Sequence, residues 1–289
     1  MRVVNDPREF QSLCLNWRFG QIRTALVPTM GYFHAGHISL MRWSRDNADK
    51  VLVSLFVNPT QFGPNEDLAS YPRDFERDRA MAEEAGADVL FAPEPEAMYA
   101  KDHTTRVELA SLSATLCGRS RPGHFSGVAT VVTKLLMLAL PSVAVFGQKD
   151  WQQLAIIRRL VRDLDIPVQV EGRPIVREPD GLAMSSRNVY LGREERFQAP
   201  NIHKGLTLAA ELVQEGTRDV QTLGCRIRDF FHQTMPLARP DYIEFVNPQT
   251  LQPAAAIDDA VLLAVVMAFG KARLIDNTLL QPEKPSSRV

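Results

Sequence analysis

Along the first 176 residues, short apolar runs alternate with stretches whose apolar positions recur every three or four residues. The runs Thr24–Val27, Val51–Val57, Asp88–Phe91 and Ala144–Phe146 are predicted to be strands. Val51–Val57 is apolar but for Ser54 and ends at Asn58-Pro59, the pattern of a strand buried on both faces. Helices are predicted over about Ile38–Asn47, Asp74–Ala85 with Gly86 as its stop, Val128–Leu140 before Pro141, and Trp151–Asp163. Val168–Val170 and Ile175-Val176 complete the pattern as short strands. Strand–helix alternation of this kind predicts an α/β fold: a Rossmann-like, doubly wound parallel sheet with helices on both faces. Ligands of such sheets sit at the carboxyl ends of strands. The richest polar turns follow Val27, Val57 and Phe146.

From Arg177 the pattern changes. Helices are predicted near Glu194–Gln214 and Val220–Gln233, and strands at Tyr242–Val246 and Val261–Phe269, which makes residues 177–289 a smaller C-terminal α+β domain. The tail QPEKPSSRV is polar and proline-containing and reads as disordered.

Composition narrows the function. Thirty-three Lys and Arg against 34 Asp and Glu leave a net charge of -1, so there is no global pull toward nucleic acid or an anionic membrane. An anionic ligand must be held by local basic groups. Cys14, Cys117 and Cys225 are odd in number and far apart, which fits neither a disulfide framework nor a zinc site. The N-terminal MRVVNDPREF lacks the apolar run of a signal peptide, and Val261–Phe269 is too short to span a bilayer, so a cytoplasmic protein is expected.

The segment Pro28-Thr29-Met30-Gly31-Tyr32-Phe33-His34-Ala35-Gly36-His37 joins a predicted strand to a predicted helix. Gly31 and Gly36 allow close approach of backbone to a ligand. A helix start presents N–H groups to phosphate. His34 and His37, three apart, can face one side of the first turn and donate to phosphate oxygens. The same spacing serves a metal site or simple helix capping, and the residues alone leave these open; no third zinc ligand is close. A second cluster, Asp180-Gly181-Leu182-Ala183-Met184-Ser185-Ser186-Arg187-Asn188, places two hydroxyls and a guanidinium on a loop, a mobile clamp for polyphosphate or else a solvated loop.

A His-x-Gly-His turn followed by a Met-Ser-Ser-Arg loop resembles the nucleotidyltransferase superfamily. Val27-Pro28-Thr29-Met30-Gly31, Phe56-Val57-Asn58-Pro59-Thr60-Gln61-Phe62, Arg121-Pro122-Gly123-His124-Phe125, Phe146-Gly147-Gln148-Lys149-Asp150 and Gly181–Asn188 together resemble the pantothenate synthetase family, in its order and across most of residues 24 to 192. The likeness continues more loosely to Arg273-Leu274-Ile275-Asp276-Asn277. It implies ATP and Mg²⁺, pantoate and β-alanine as small-molecule substrates, a pantoyl-adenylate intermediate, no nucleic-acid partner, no metal held by the protein's own ligands, and a homodimer. Residues 1–176 would bind nucleotide and pantoate and 177–289 would form a lid.

The resemblance further implies that Met30, Gly31, Tyr32, Phe33, His34, Ala35, Gly36 and His37 form the ATP turn, joined by Gly147, Gln148, Lys149 and Asp150, by Val176, and by Met184, Ser185, Ser186 and Arg187. His34, His37, Lys149 and Arg187 would act on the reacting phosphates, with His37 giving a proton toward pyrophosphate. Gln61 and Gln153 would read pantoate, and Gln61 would meet β-alanine. Arg121 and His124 offer a basic loop for a carboxylate or phosphate. Asp74, Glu76 and Asp78 read better as a solvated helix face than as a Mg²⁺ site. Tyr32-Phe33, Ala35, Gln148 (for an acidic residue) and Val189 (for a basic one) depart from the family's usual choices.

Overall fold

A computed structural model describes residues 1–64 and 66–282, so most of the tail read as disordered lies outside the described residues. The chain forms two compact units: Met1–Gln148 with Gln152–Val176, and Lys149–Trp151 with Arg177 onward.

The first unit is built on a six-stranded sheet of β1 (Arg2–Val4), β2 (Thr24–Thr29), β3 (Lys50–Leu55), β4 (Val89–Phe91), β5 (Val143–Gly147) and β6 (Gln169–Arg173). The order is β1-β4-β3-β2-β5-β6 and every pairing is parallel. The helices are α1 (Pro7–Phe19), α2 (Ala35–Asn47), α3 (Phe75–Glu84), α4 (Pro95–Met98), α5 (Leu116–Ser120), α6 (His124–Ala139) and α7 (Trp151–Asp163), whose first residue is counted with the other unit. The central strands are apolar on both sides because both faces are covered. Ala25, Val27, Val51, Val53, Val143 and Val145 pack with Leu40 and Met41 of α2 and Ala82 of α3. The intervening Leu26 and Leu52 are equally buried. Winding reverses between β2 and β5, the switch point at which such sheets bind ligands. The polar turns after β2, β3 and β5 leave three adjacent strands at the same edge.

The second unit carries a three-stranded antiparallel sheet in order, β7 (Arg239–Val246), β8 (Val261–Phe269) and β9 (Ala272–Leu280). Its helices are α8 (Arg193–Gln198), α9 (Asn201–Gln214) and α10 (Val220–Thr234). Their apolar faces meet the sheet through Leu206, Ile227, Phe231, Leu263 and Val265.

Several expectations are corrected. Ile175-Val176 is not a strand: β6 stops at Arg173, before Pro174, which has no N–H for the ladder. The helix expected over Glu194–Gln214 is split into α8 and α9 at Pro200, which cannot donate within a helix. The Met184–Arg187 segment is not an open loop. It runs into a 3-10 helix over Ser186–Tyr190, and Ser185 Oγ caps it by accepting from Arg187 N at 3.3 Å. β1, α1 and β9 come in addition to the predicted elements.

Candidate functional site

The turn after β2 is set by backbone geometry and one buried acid. Gly31 has φ +84° and Tyr32 φ +52°. Two successive left-handed residues point the N–H groups of Tyr32 and Phe33 the same way. Both donate to Asp78 of α3, at 2.5 and 2.7 Å. Asp78 is 1% exposed, so it belongs to no solvated face, and Asp74 is spent capping α3 through Arg77 N. Burial pushes the Asp78 carboxyl above the usual carboxylate range, against the pull of those two N–H groups and of Arg77. Arg77 closes the clamp by donating to Phe33 O at 2.8 Å while its guanidinium lies 5.1 Å from the Tyr32 ring centroid. Phe33 itself is wholly buried in the core under β2. The two bulky departures in this turn thus have structural jobs.

His34 is the N-cap of α2. Its Nδ1 accepts from Gly36 N at 3.1 Å, while Nδ1 of His37 accepts from His34 N at 3.3 Å. The rings lie 4.1 Å apart between centroids. An imidazole nitrogen that accepts carries no proton, so in each ring the proton sits on Nε2. Capping therefore fixes both tautomers and makes each Nε2 a donor. The capping and phosphate readings are compatible, since they use opposite nitrogens.

The turn after β3 lies beside this one. Gln61 is 8% exposed. Its Nε2 is directed at Met30 Sδ, 2.9 Å away, and its Oε1 accepts from Asn58 Nδ2 at 3.1 Å. A thioether is a poor acceptor, so an approaching hydroxyl or carboxylate oxygen competes well for that amide. Gly127 of α6 makes the fit possible, because a Cβ there would stand 2.4 Å from Thr60 O and 2.7 Å from Gln61 Cα. Asn58 Nδ2 also donates to Gly127 O, and Asn58 Oδ1 accepts from Tyr99 Oη at 2.9 Å and Thr60 Oγ1 at 3.0 Å. From behind, His124 Nδ1 meets Gln61 O at 2.8 Å and His124 Nε2 meets Arg121 at 3.0 Å. Arg121 is engaged by Glu66 through two bonds of 2.7 and 2.5 Å. Burial raises the Glu66 pKa, but the Arg121 hydrogen bond and charge outweigh it and hold the group below its ordinary value. Asn58, Tyr99, Asp78 and Glu66 brace these two turns, and sequence reasoning missed or misplaced them. Asn58 stood within a quoted motif, while the others gave no local signal.

Gly147 ends β5, and a Cβ on it would meet nothing within 4 Å, so its backbone is open to a ligand. Gln148 donates to Gly172 O at 3.2 Å, which the ionised acid usual at this position cannot do. Gln153 on α7 and Val176 after β6 are half-buried in the first unit.

Lys149, Asp150, Met184, Ser185, Ser186 and Arg187 belong to the second unit. There Lys149 O accepts from Asn277 Nδ2 at 2.9 Å, and Trp151 Nε1 donates to Pro248 O at 2.8 Å. Residues 177–183 form a tight hairpin closed by an Arg177–Ala183 bridge and by Glu178 N to Leu182 O at 2.8 Å. Glu178 accepts from Asn188 at 2.8 Å and from Arg196 at 2.6 Å, and Asp180 accepts from Arg196 at 2.6 Å. Val189 is 56% exposed. Among the described residues no group of three or more His, Cys, Asp or Glu is placed to hold a metal ion, and no helix is long and apolar enough to cross a membrane.

A parallel sheet with a helix-capping histidine pair at its switch point defines an α/β enzyme of nucleotide-handling type. More narrowly, the chain belongs to the pantoate–β-alanine ligase family, whose model matches residues 2–279. It is therefore a ligase. The chain is 61% identical over 283 residues to the pantothenate synthetase of Nitratidesulfovibrio vulgaris strain Miyazaki F, covering 98% of this chain and 100% of the relative. The crystal structure of pantothenate synthetase from Thermus thermophilus superposes with TM-score 0.92 at 44% identity, covering 98% of this chain and 100% of that one. The Francisella tularensis pantoate–β-alanine ligase, whose structure is complexed with β-γ ATP and β-alanine, matches with TM-score 0.78 at 34% identity over 96% of this chain and 97% of that one.

Proposed function

We propose that this protein condenses pantoate with β-alanine in two steps driven by ATP. In the first, a pantoate carboxylate oxygen attacks the α-phosphorus, the α–β phosphoanhydride bond breaks, and pyrophosphate leaves a pantoyl adenylate. In the second, the β-alanine amine attacks the acyl carbon, the acyl C–O bond breaks, AMP leaves with the bridging oxygen that came from the pantoate carboxylate, and the amine loses a proton to give pantothenate.

The observation that carries this reading is the reciprocal cap of His34 and His37. Two Nε2–H donors are preset at a helix N-terminus where charge grows on phosphate oxygens, so no reorganisation is needed during reaction. His37 donates a hydrogen bond from Nε2–H toward the leaving pyrophosphate. Met30, Gly31, Tyr32, Phe33, Ala35 and Gly36 line the nucleotide turn, and Gly147, Gln148, Asp150 and Val176 hold adenosine. Lys149 and Arg187 neutralise the reacting phosphates, with Met184, Ser185 and Ser186 closing on them. Gln61 and Gln153 bind pantoate. Gln61, whose amide reaches Met30 of the nucleotide turn, also orients the β-alanine amine toward the acyl carbon. Residues 1–176 carry nucleotide and pantoate, and 177–289 act as the lid.

Magnesium enters with the substrate as MgATP. The acids near the turn do not fit a resident ion, because Asp78 is consumed by two N–H groups and Asp74 by a cap. A homodimer in the cytoplasm completes the proposal. Product analysis with pantoate, β-alanine and ATP, omitting each in turn, tests it. Pyrophosphate release without β-alanine, and AMP plus pantothenate only with all three, is the expected result. AMP transfer to a phosphate ester instead would overturn it.

A further inference from the structure

The Arg273–Asn277 segment has no part in the reaction as proposed, yet two of its polar residues are almost fully buried. Asp276 is 4% exposed and Asn277 is 7% exposed. Successive side chains of a strand point to opposite faces. On β9 one face is set by Ala272, Leu274 and Leu280, all in the apolar core of the second unit, and Asp276 occupies that same row. A carboxylate in such a row is costly unless fully paired. Asp276 is paired: Arg177 meets it through two bonds of 2.6 and 3.0 Å, and Asn277 N donates to it at 2.8 Å. The Arg177 guanidinium also donates to Gly181 O at 3.1 Å. Gly181 has φ +95° and sits in the turn of the hairpin that runs on into Met184–Arg187. Asn277, facing the other way, sends Nδ2 to Lys149 O.

Two adjacent residues of one strand thus fix two separate segments of the second unit. We infer that Asp276 and Asn277 are positioning residues for adenylate formation: Asn277 sets the Lys149 backbone and so the placement of its ammonium, and Asp276, through Arg177 and Gly181, sets the hairpin that presents Ser185–Arg187. A hydrophobic pair would serve the fold of β9 as well. The polarity of both residues is explained by what they hold. The inference rests on the assignment of Lys149 to the reacting phosphates.

The test is a double-mutant cycle read by pantoate-dependent ATP–pyrophosphate exchange. Asn277→Asp keeps the shape and loses the donor. Displacing a catalytic group by a fraction of an ångström to one ångström costs on the order of 10-fold to 100-fold, so Asn277→Asp and Asn277→Ala are expected to lower the exchange rate about 10-fold. The KM for β-alanine is expected to be unchanged. Trp151 still tethers the segment, so the thermal midpoint of Asn277→Ala should move little. That of Asn277→Asp should fall, because the new carboxylate is buried against the Lys149 carbonyl. In a Lys149→Met background the same Asn277 substitution should change the rate less than about twofold, because its effect runs through the missing ammonium. Asp276→Asn is expected to lower exchange in both backgrounds, since it acts through the hairpin. Multiplying effects of Asn277→Asp and Lys149→Met, or wild-type exchange in Asn277→Asp, would overturn the inference. Wild-type exchange in Lys149→Met alone would instead defeat the assignment of Lys149 and with it the proposed chemistry.

Discussion

The Met30–His37 turn and the Arg177–Tyr190 segment are both assigned to the triphosphate, but they are held by opposite means. The first is fixed by main-chain groups: two N–H groups on the buried carboxylate of Asp78, two more on imidazole Nδ1 atoms, and a left-handed glycine whose Cβ would stand 3.0 Å from Asp78 Oδ2. The second is fixed largely by side chains that water reaches. Arg196, with a side chain 34% exposed, bridges Glu178 and Asp180 at 26% and 42%. Its buried anchor is the Arg177–Asp276 pair. Main-chain geometry locked by a buried acid is set before ligand arrives and is insensitive to salt. Surface ion pairs are screened and exchangeable. The molecule therefore combines a preset donor array with a segment whose grip depends on conditions.

The comparison breaks most sharply at the preset side. His37→Ala removes one Nε2 donor together with the acceptor for His34 N, and pantoate-dependent pyrophosphate exchange should fall by about 10²-fold or more, the scale for losing a transition-state donor. Near wild-type exchange would show that the histidine pair only caps α2. Next in size is Asp78→Ala. It strands the buried N–H groups of Tyr32 and Phe33, each costing about 1–3 kcal/mol. Part of that is offset, because burial already makes the Asp78 carboxylate unfavourable. A net loss of about 2 kcal/mol is expected in denaturant unfolding, with a rise in the KM for ATP. Unchanged stability would mean that the turn holds its shape without the clamp.

What could be read in the sequence follows the same division. The central strands were legible because burial on both faces leaves nearly continuous apolar runs such as Val51–Leu55, broken only by the small Ser54. The histidine turn was legible because the glycine and histidine spacing is local. Asp78 was not. It sits in a run of charges that looks solvated, and its partners are 45 and 46 residues away, joined to it only by the packing of α3 beside α2. β9 was hidden for a related reason, since Asp276 and Asn277 interrupt its alternation and their partners lie 99 and 128 residues away. The first helix did leave a local trace, Asp6-Pro7 with Glu9, which now accounts for its cap: Asp6 accepts from Glu9 N at 2.8 Å. Gln61 carried no compositional signal, and only its place in a longer motif marked it.

On the conditional side effects should be smaller. Arg196→Ala removes both ion pairs of the Arg177–Tyr190 segment to α8, yet the groups are partly exposed, so about 1 kcal/mol or less is expected. The useful readout is its salt dependence. The KM for ATP of the wild type should rise from low to high ionic strength, and that of Arg196→Ala should already be raised and change less. Equal salt responses would place the salt-sensitive grip elsewhere.

The smallest effect concerns pH. His203 of α9 lies against Gly181, and a Cβ on that glycine would stand 2.8 Å from His203 Cδ2. Its Nδ1 is buried with no hydrogen-bond partner among the described residues. Burial, and then the charge of Arg177, hold its pKa below the ordinary 6.5, with Asp276 pulling weakly the other way. The unfolded chain therefore binds this proton at a higher pH than the folded one. The stability due to neutral His203 is fully present above pH 6.5 and is lost as pH falls through the lower folded value. His203→Gln cannot titrate. The wild-type thermal midpoint minus that of His203→Gln should thus be smaller at about pH 5 than at about pH 7.5. A difference that stays constant across that window would show that the imidazole can take its proton without disturbing Arg177, and that the hairpin is held independently of its charge.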